Sequence, residues 1–294
     1  MKVMFNLIGE QPIPNLLPVL YLKPDKSIFL YTDKTEKIAK NLKEMVTNSN
    51  ILKIYPYDFN RTYSELKKLF TENDEIIANV TGGTKIMSLS LFQLALANNS
   101  EIIYYISEKN TSLLYKFRLN DNNELDLTTV ELPELITAEQ YIKAHIRYFD
   151  FRKQEKNRGT DFENLICDTL RENNFEVLQN IAPRKERQQL EIDAVIRLKG
   201  TNNVGIAEIK VGDLKGEGPK KGIEQLALAS QREYLGTYTK RFLITSRKLK
   251  KEIRELAKVH NIIVIDGIEQ NRYNDELTDE SKRKLIEKLK EKLS

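Results

Sequence analysis

Four charged residues in the second half of the chain have types and spacing suited to phosphate chemistry. Asp193 opens one apolar run, IDAVIRL, and Glu208 and Lys210 interrupt a second, VGIAEIKV. Residues 200–203, which are Gly, Thr, Asn and Asn, separate the two runs. If both runs are strands, that turn folds them into a hairpin and brings Asp193 near Glu208. Glu208 and Lys210 are two apart and share one face, leaving Ala207, Ile209 and Val211 on the other. Two carboxylates and an ammonium on one side of a sheet could hold a divalent cation beside a phosphate. A surface cross-strand pair would account for Glu208 and Lys210 alone, but not for charges breaking both apolar strands together.

The fourth residue is Glu163. Thr160 opens a helix that turns Phe162, Leu165, Ile166, Thr169 and Leu170 inward, with Asp161, Asn164, Asp168 and Arg171 on the opposite side. At about 100° per residue, Glu163 lies at the edge of the apolar face, between Leu170 and Cys167. A carboxylate leaning inward needs a partner, and a shared metal or a salt bridge would each serve. Hard cations such as Mn²⁺ or Mg²⁺ prefer oxygen, which Asp193, Glu208, the main-chain carbonyl of Ile209 and Glu163 could supply. Such a cation polarises a scissile phosphate and lowers the pKa of bound water. Lys210 would orient that water or stabilise the charge growing on the phosphoryl group.

The elements around these residues alternate. In the first half, apolar runs at residues 2–8, 27–31, 51–57 and 75–80 read as strands. Helical spacing follows the second run (Ile38, Leu42, Met45) and the third (Tyr63, Leu66, Leu69). This pattern argues for parallel βαβ units, whose ligands collect at the carboxyl ends of strands. Two loops stand there. Residues 9–15, GEQPIPN, hold two prolines expected to stop regular structure. Residues 81–85, TGGTK, precede a helix. Two glycines would let backbone approach a phosphate, Thr81 and Thr84 add hydroxyls, and Lys85 adds a charge. The spacing is not that of a Walker A loop, so a tight turn capped by Thr84 and an anion site both remain open. Residues 101–107 and 111–119 read as a hairpin with its turn at Lys109 and Asn110, and residues 125–132 as an outer strand.

A helical pattern runs from Thr137 to Phe149, in which His145 reads as a packing or surface residue. Residues 152–158, almost wholly polar, look like a link between domains. The second half then reads helix, strand, strand, strand, helix, strand, helix, strand, with an amphipathic helix from Thr278. Within it, residues 183–189 form a charged loop, and residues 212–222, rich in Gly and Lys, a second loop.

Bulk properties narrow the class. A chain of 294 residues with 40% hydrophobic and 31% charged content suits two folded domains. No apolar run is long enough to span a bilayer, so no membrane role and a cytoplasmic location are expected. One cysteine excludes an internal disulfide framework and a cysteine-ligated zinc site, and two histidines exclude multi-histidine mechanisms. Residues 151–294 carry 30 Lys/Arg against 24 Asp/Glu, while residues 1–150 carry 17 against 19. A basic second half suits a polyanionic partner, although a solvated surface would look the same.

The order of elements, with Glu163 in the opening helix, Asp193 in EID, and Glu208 and Lys210 in EIK, resembles the PD-(D/E)xK nuclease superfamily. With the GEQPIPN and TGGTK loops added, nearly the whole chain resembles the CRISPR-associated CARF–nuclease fusions of type III systems. That resemblance implies an α/β chain with a Rossmann-like CARF domain at residues 1–148. A restriction-endonuclease-like PD-(D/E)xK α/β domain follows at residues 149–294. It implies a homodimer that binds cyclic tetra-adenylate through Gly9, Glu10, Gln11, Thr32, Thr81, Gly82, Gly83, Thr84 and Lys85. It also implies that DNA and/or RNA is cut with Mn²⁺ or Mg²⁺ at Asp193, Glu208, Lys210 and Glu163. Two other readings stay open: a constitutive restriction- or repair-type nuclease, and a nucleotide-sensing protein without catalysis.

Overall fold

The computed structural model describes residues 1–71, 74–108, 110–152, 157–183, 191–211, 217–231, 234–271 and 276–294. The turn residue Lys109, most of the polar link, the charged loop at 184–189 and residues 212–216 lie outside these. Two compact units divide the chain, Met1–Leu135 and Ile136–Ser294.

The first unit runs β1 (Lys2–Leu7), α1 (Ile13–Leu22), β2 (Lys26–Tyr31), α2 (Glu36–Met45), β3 (Ser49–Lys53), α3 (Phe59–Lys67) and β4 (Glu75–Asn79). It continues with α4 (Lys85–Ala97), β5 (Glu101–Glu108), β6 (Thr111–Leu119) and β7 (Leu125–Glu131). Its sheet has the order β3-β2-β1-β4-β5-β6-β7. Pairing is parallel from β3 to β5 and antiparallel from there to β7. The strand order reverses between β1 and β4, and this is where a doubly wound sheet opens a crevice. The GEQPIPN and TGGTK loops leave those two strands.

Helix α1 corrects the expectation that Pro12 and Pro14 end regular structure. Pro14 occupies the first turn, where its missing N–H would be unpaired in any case. Pro18, inside the helix, has no N–H to give the carbonyl of Pro14. That carbonyl accepts instead from Nδ2 of Asn79 at 3.2 Å. Helix α2 starts at Glu36, five residues after β2 ends. Thr32 and Thr35 first close a turn in which the Thr32 amide donates to the Thr35 hydroxyl at 3.0 Å.

The second unit runs α5 (Ala138–His145), β8 (Phe149–Phe151), α6 (Arg158–Glu172), β9 (Phe175–Pro183), β10 (Ile192–Leu198), β11 (Val204–Lys210) and α7 (Glu217–Ala229). It ends with β12 (Lys240–Thr245), α8 (Lys251–Val259), β13 (Ile263–Ile265) and α9 (Asp279–Leu293). The sheet order is β13-β12-β11-β10-β9-β8. One face buries Phe162, Ile166 and Leu170 of α6 and Leu285, Leu289 and Leu293 of α9 against Ala207, Ile209 and Ile244. Gly222 of α7 lies over the opposite face of β11.

The units part after Leu135, earlier than the boundary expected after Tyr148, because α5 is anchored in the second unit. The Ala138 amide donates to Oε2 of Glu176 at 3.0 Å, and Nε of the buried Arg197 donates to the same oxygen at 2.7 Å. The Tyr141 hydroxyl lies 2.8 Å from that of Thr239. Phe149, expected to continue the helix, instead pairs in β8 opposite Pro183. His145 is buried, its Nδ1 2.9 Å from the Tyr141 carbonyl, as a packing residue would be. Among the described residues no helix is long and apolar enough to cross a membrane.

Candidate active site and ligand pocket

The hairpin forms in the register that the charges require. β10 and β11 pair antiparallel with Ala194 opposite Ala207 and Arg197 opposite Val204. One step beyond Ala194 and Ala207, at the open end, Asp193 faces Glu208. A slip by one residue would put the two carboxylates on opposite faces of the sheet, one of them the apolar face packed by α6 and α9. Lys210 closes the group, its Nζ 2.8 Å from Oδ2 of Asp193 and 2.8 Å from Oε2 of Glu208. The Ile209 amide also donates to Oδ2 of Asp193, at 2.8 Å.

These charges are deeply placed. The side chains of Glu208, Asp193 and Lys210 are 1%, 10% and 21% exposed. Burial, and then the Asp193 carboxylate beside it, push the Glu208 pKa well above the usual carboxylate range, with Lys210 opposing. For Lys210 burial works against the ammonium, but Glu208 and Asp193 outweigh it and hold the pKa above that of an ordinary lysine. Oε2 of Glu208 is near Lys210 as an ion pair but has no hydrogen bond aligned on it. A buried carboxylate oxygen in that condition, beside a second carboxylate, fits a hard divalent cation.

Glu163 is half-buried at the edge of the apolar face of α6, with Asp161, Asn164, Asp168 and Arg171 exposed as the spacing predicts. It belongs to the helix packed on the Ala207 and Ile209 side, and its charge is felt by Cys167. Burial raises that thiol to about 12; Arg171 opposes the rise, and Glu163, Asp168 and Asp193 add to it. Among the described residues no three His, Cys, Asp or Glu side chains form a ready-made metal cluster. The carboxylates brought together are therefore Asp193 and Glu208, with Glu163 standing outside that pair.

Gly222 is a site residue that the sequence reading placed in a loop. Helix α7 begins at Glu217 and carries Gly222 inside it. A Cβ there would lie 3.1 Å from Cδ1 of Leu243, 3.6 Å from Cβ of Glu208 and 3.9 Å from Cε of Lys210. Its bare backbone lets α7 roof the charged face closely. The usable signal was glycine one helical turn before Leu226, which is buried as Gly222 is.

In the first unit a cavity of about 430 Å³ opens at the carboxyl ends of the strands. Of the nine residues assigned to ligand binding, Gly9, Glu10, Thr32, Gly83 and Thr84 line it, and Gln11, Thr81, Gly82 and Lys85 do not. Thr84 caps α4, accepting from the Met87 amide at 3.3 Å, while its hydroxyl donates to the Pro56 carbonyl. The loop is a capped turn, and that turn borders the cavity. The hydroxyl of Thr81, expected to serve a ligand, is committed within the fold. It donates to Oδ1 of Asn79 at 2.6 Å and accepts from the Tyr105 amide at 2.8 Å. Gly82 packs so tightly on β1 that a Cβ would fall 2.0 Å from the Leu7 carbonyl oxygen. Lys34, Pro56 and Tyr57, none of them assigned to the ligand by sequence, also line the cavity.

Residues 3–141 match the family described as the Card1 CARF domain, and residues 155–272 the restriction endonuclease family Mrr_cat. The chain is a fusion of a CARF domain with a restriction-endonuclease-like domain. The α/β fold of each half is the one its family implies. The fusion superposes over its whole length on Can2 from Sulfobacillus thermosulfidooxidans, a structure in complex with cyclic tetra-adenylate. The TM-score is 0.76 at 18% identity, with 100% of each chain covered. It also superposes on protein VC1899 from Vibrio cholerae, with a TM-score of 0.74, 12% identity and coverage of 99% and 98%. At these identities the two structures share its fold. No curated protein sequence matches the fusion.

Proposed function

We propose that this CARF–nuclease fusion is a divalent-metal-dependent nuclease, switched on by cyclic tetra-adenylate, that cleaves DNA and/or RNA in cytoplasmic type III CRISPR antiviral defence. The observation that carries the catalytic half is the convergence of Asp193 and Glu208 on one lysine, with the Glu208 side chain only 1% exposed. The sensing half is supported by the CARF match and by the cavity at the switch point of its sheet. Can2, of the same fold, is described with cyclic tetra-adenylate bound. A two-fold-symmetric ring suits a homodimer, in which the same loops of both copies face it.

Asp193, Glu208 and the Ile209 main-chain carbonyl would hold Mn²⁺ or Mg²⁺, with Glu163 contributing from α6. When bound, the cation supplies Lewis acidity to the scissile phosphate and acidifies a water. Asp193 and Glu208 must both be ionised to serve, so Glu208 gives up the proton that burial favours. Lys210 then stands at the same face to neutralise charge developing on the phosphoryl oxygens. The apolar bed of Ala207 and Ile209 fixes the strand, and α7 at Gly222 restricts water on the charged side.

The test is cleavage of plasmid, single-stranded DNA and RNA with Mn²⁺ or Mg²⁺, with and without each cyclic oligoadenylate ring size. The expected result is cleavage that needs metal and rises sharply with the tetra-adenylate. Glu208→Gln should abolish it. Equal cleavage with and without every ring would overturn the gating, and undiminished cleavage by Glu208→Gln would overturn the site.

A further inference from the structure

The CARF cavity has one wall that neither the family match nor the ligand loops account for. Tyr57 lines it, yet its side chain is 75% exposed, an unusual placement for an aromatic ring with no packing role. The segment carrying it is held firmly. The Thr84 hydroxyl ties the preceding carbonyl, that of Pro56, to the start of α4, and Asp58 directly after it caps α3 by accepting from the Arg61 amide at 3.0 Å. Arg61, the nearby cation, is engaged elsewhere, with its guanidinium 3.4 Å from the ring centre of Tyr55. The ring of Tyr57 is thus presented on a fixed backbone with its face uncovered. Lys34, which lines the same cavity, offers a cation.

We propose that Tyr57 is the base-recognising wall of this pocket, stacking on a purine of the bound nucleotide ring. A tyrosine face suits any base, because every base has a π-face to stack on it. Lys34 would take the attached phosphate as a point charge. This rests on the nucleotide-sensing reading given above and deepens it, since it assigns the base to one side of the cavity.

The experiment uses the full chain and the cyclic tetranucleotide in which every adenine is replaced by 2-aminopurine, whose fluorescence falls when it stacks. Direct binding and quenching are read for the wild type, Tyr57→Phe and Tyr57→Ala. Loss of one stacked base is expected to weaken binding about ten- to a hundred-fold in Tyr57→Ala and to leave its complex bright. Tyr57→Phe, which keeps the ring face, should bind and quench within about two-fold of the wild type. Equal binding and quenching by Tyr57→Ala would overturn the stacking role while leaving the sensing reading intact. Equal losses in Tyr57→Phe and Tyr57→Ala would assign the effect to the hydroxyl and overturn stacking as well. A wild type that binds no ring would overturn the sensing reading and this one with it.

Discussion

Replacing Lys210 by methionine isolates the electrostatics of the candidate active site. The substitution keeps the aliphatic stem and removes the ammonium that lies 2.8 Å from both Asp193 and Glu208. Removing one partner of a buried ion pair costs about 3–5 kcal/mol, because the other charge is left uncompensated. Glu208 can escape by taking up a proton, and its pKa is already raised by burial and Asp193. Without Lys210 it rises further. A carboxyl whose folded pKa lies above its unfolded value stabilises below the ordinary carboxylate range, and that contribution is lost as pH rises through the raised value. The penalty of Lys210→Met should therefore be smaller at pH 5 than at pH 8, growing as pH rises through the raised Glu208 pKa. At roughly 2–4 °C per kcal/mol for a unit of this size, the drop at pH 8 is on the order of 10 °C. Thermal unfolding in EDTA, followed by circular dichroism at both pH values, measures it. Adding Glu208→Gln, which removes the charge rather than its partner, should recover part of the loss. A Lys210→Met protein as stable as the wild type at pH 8, or a double variant less stable than either single one, would refute this reasoning.

Further outcomes follow from the same geometry. Because Glu208 must lose a proton to bind a cation, Mn²⁺ binding should release protons and tighten as pH rises through the raised Glu208 pKa. Calorimetry in buffers of different ionisation enthalpy would detect this, and a pH-independent affinity would contradict it. Gly82→Ala places a Cβ 2.0 Å from the Leu7 carbonyl and should destabilise the CARF unit by more than about 3 kcal/mol, read as a lowered denaturant midpoint. Thr84→Val removes the cap of α4 and its tie to Pro56, costing about 1 kcal/mol and weakening ring binding without altering metal affinity in the second unit.

The candidate metal site was legible in the sequence because strand periodicity is local information. Alternation fixes which residues share a face, and a short turn fixes which strands meet, so Asp193 and Glu208 could be paired from spacing alone. The βα alternation of the first half carried the fold in the same way. What stayed hidden depends on partners distant in sequence. Helix α1 is apolar on most sides and carries two prolines, so neither its period nor its ends are visible, and only contact with β4 explains it. Gly222 read as loop because its use, a close approach to Glu208 and Leu243, exists only once the sheet has formed. Thr81 looked available in part for the same reason: Tyr105, whose amide donates to its hydroxyl, lies on the neighbouring strand β5.

The carbonyl that Pro18 leaves unpaired in α1 has a consequence for the position of that helix. Pro14 is the one residue there whose oxygen faces a proline four places on, so it is the carbonyl that Asn79 can claim without competition. Were α1 to slide by one residue, Asn79 would meet Ile13 or Asn15, whose partners Leu17 and Val19 have N–H groups of their own. The break acts as a notch, and Asn79 as the tooth that fits it. One side-chain amide thereby indexes the helix against β4, and with it the loop from Gly9 to Pro12 that leads into the pocket.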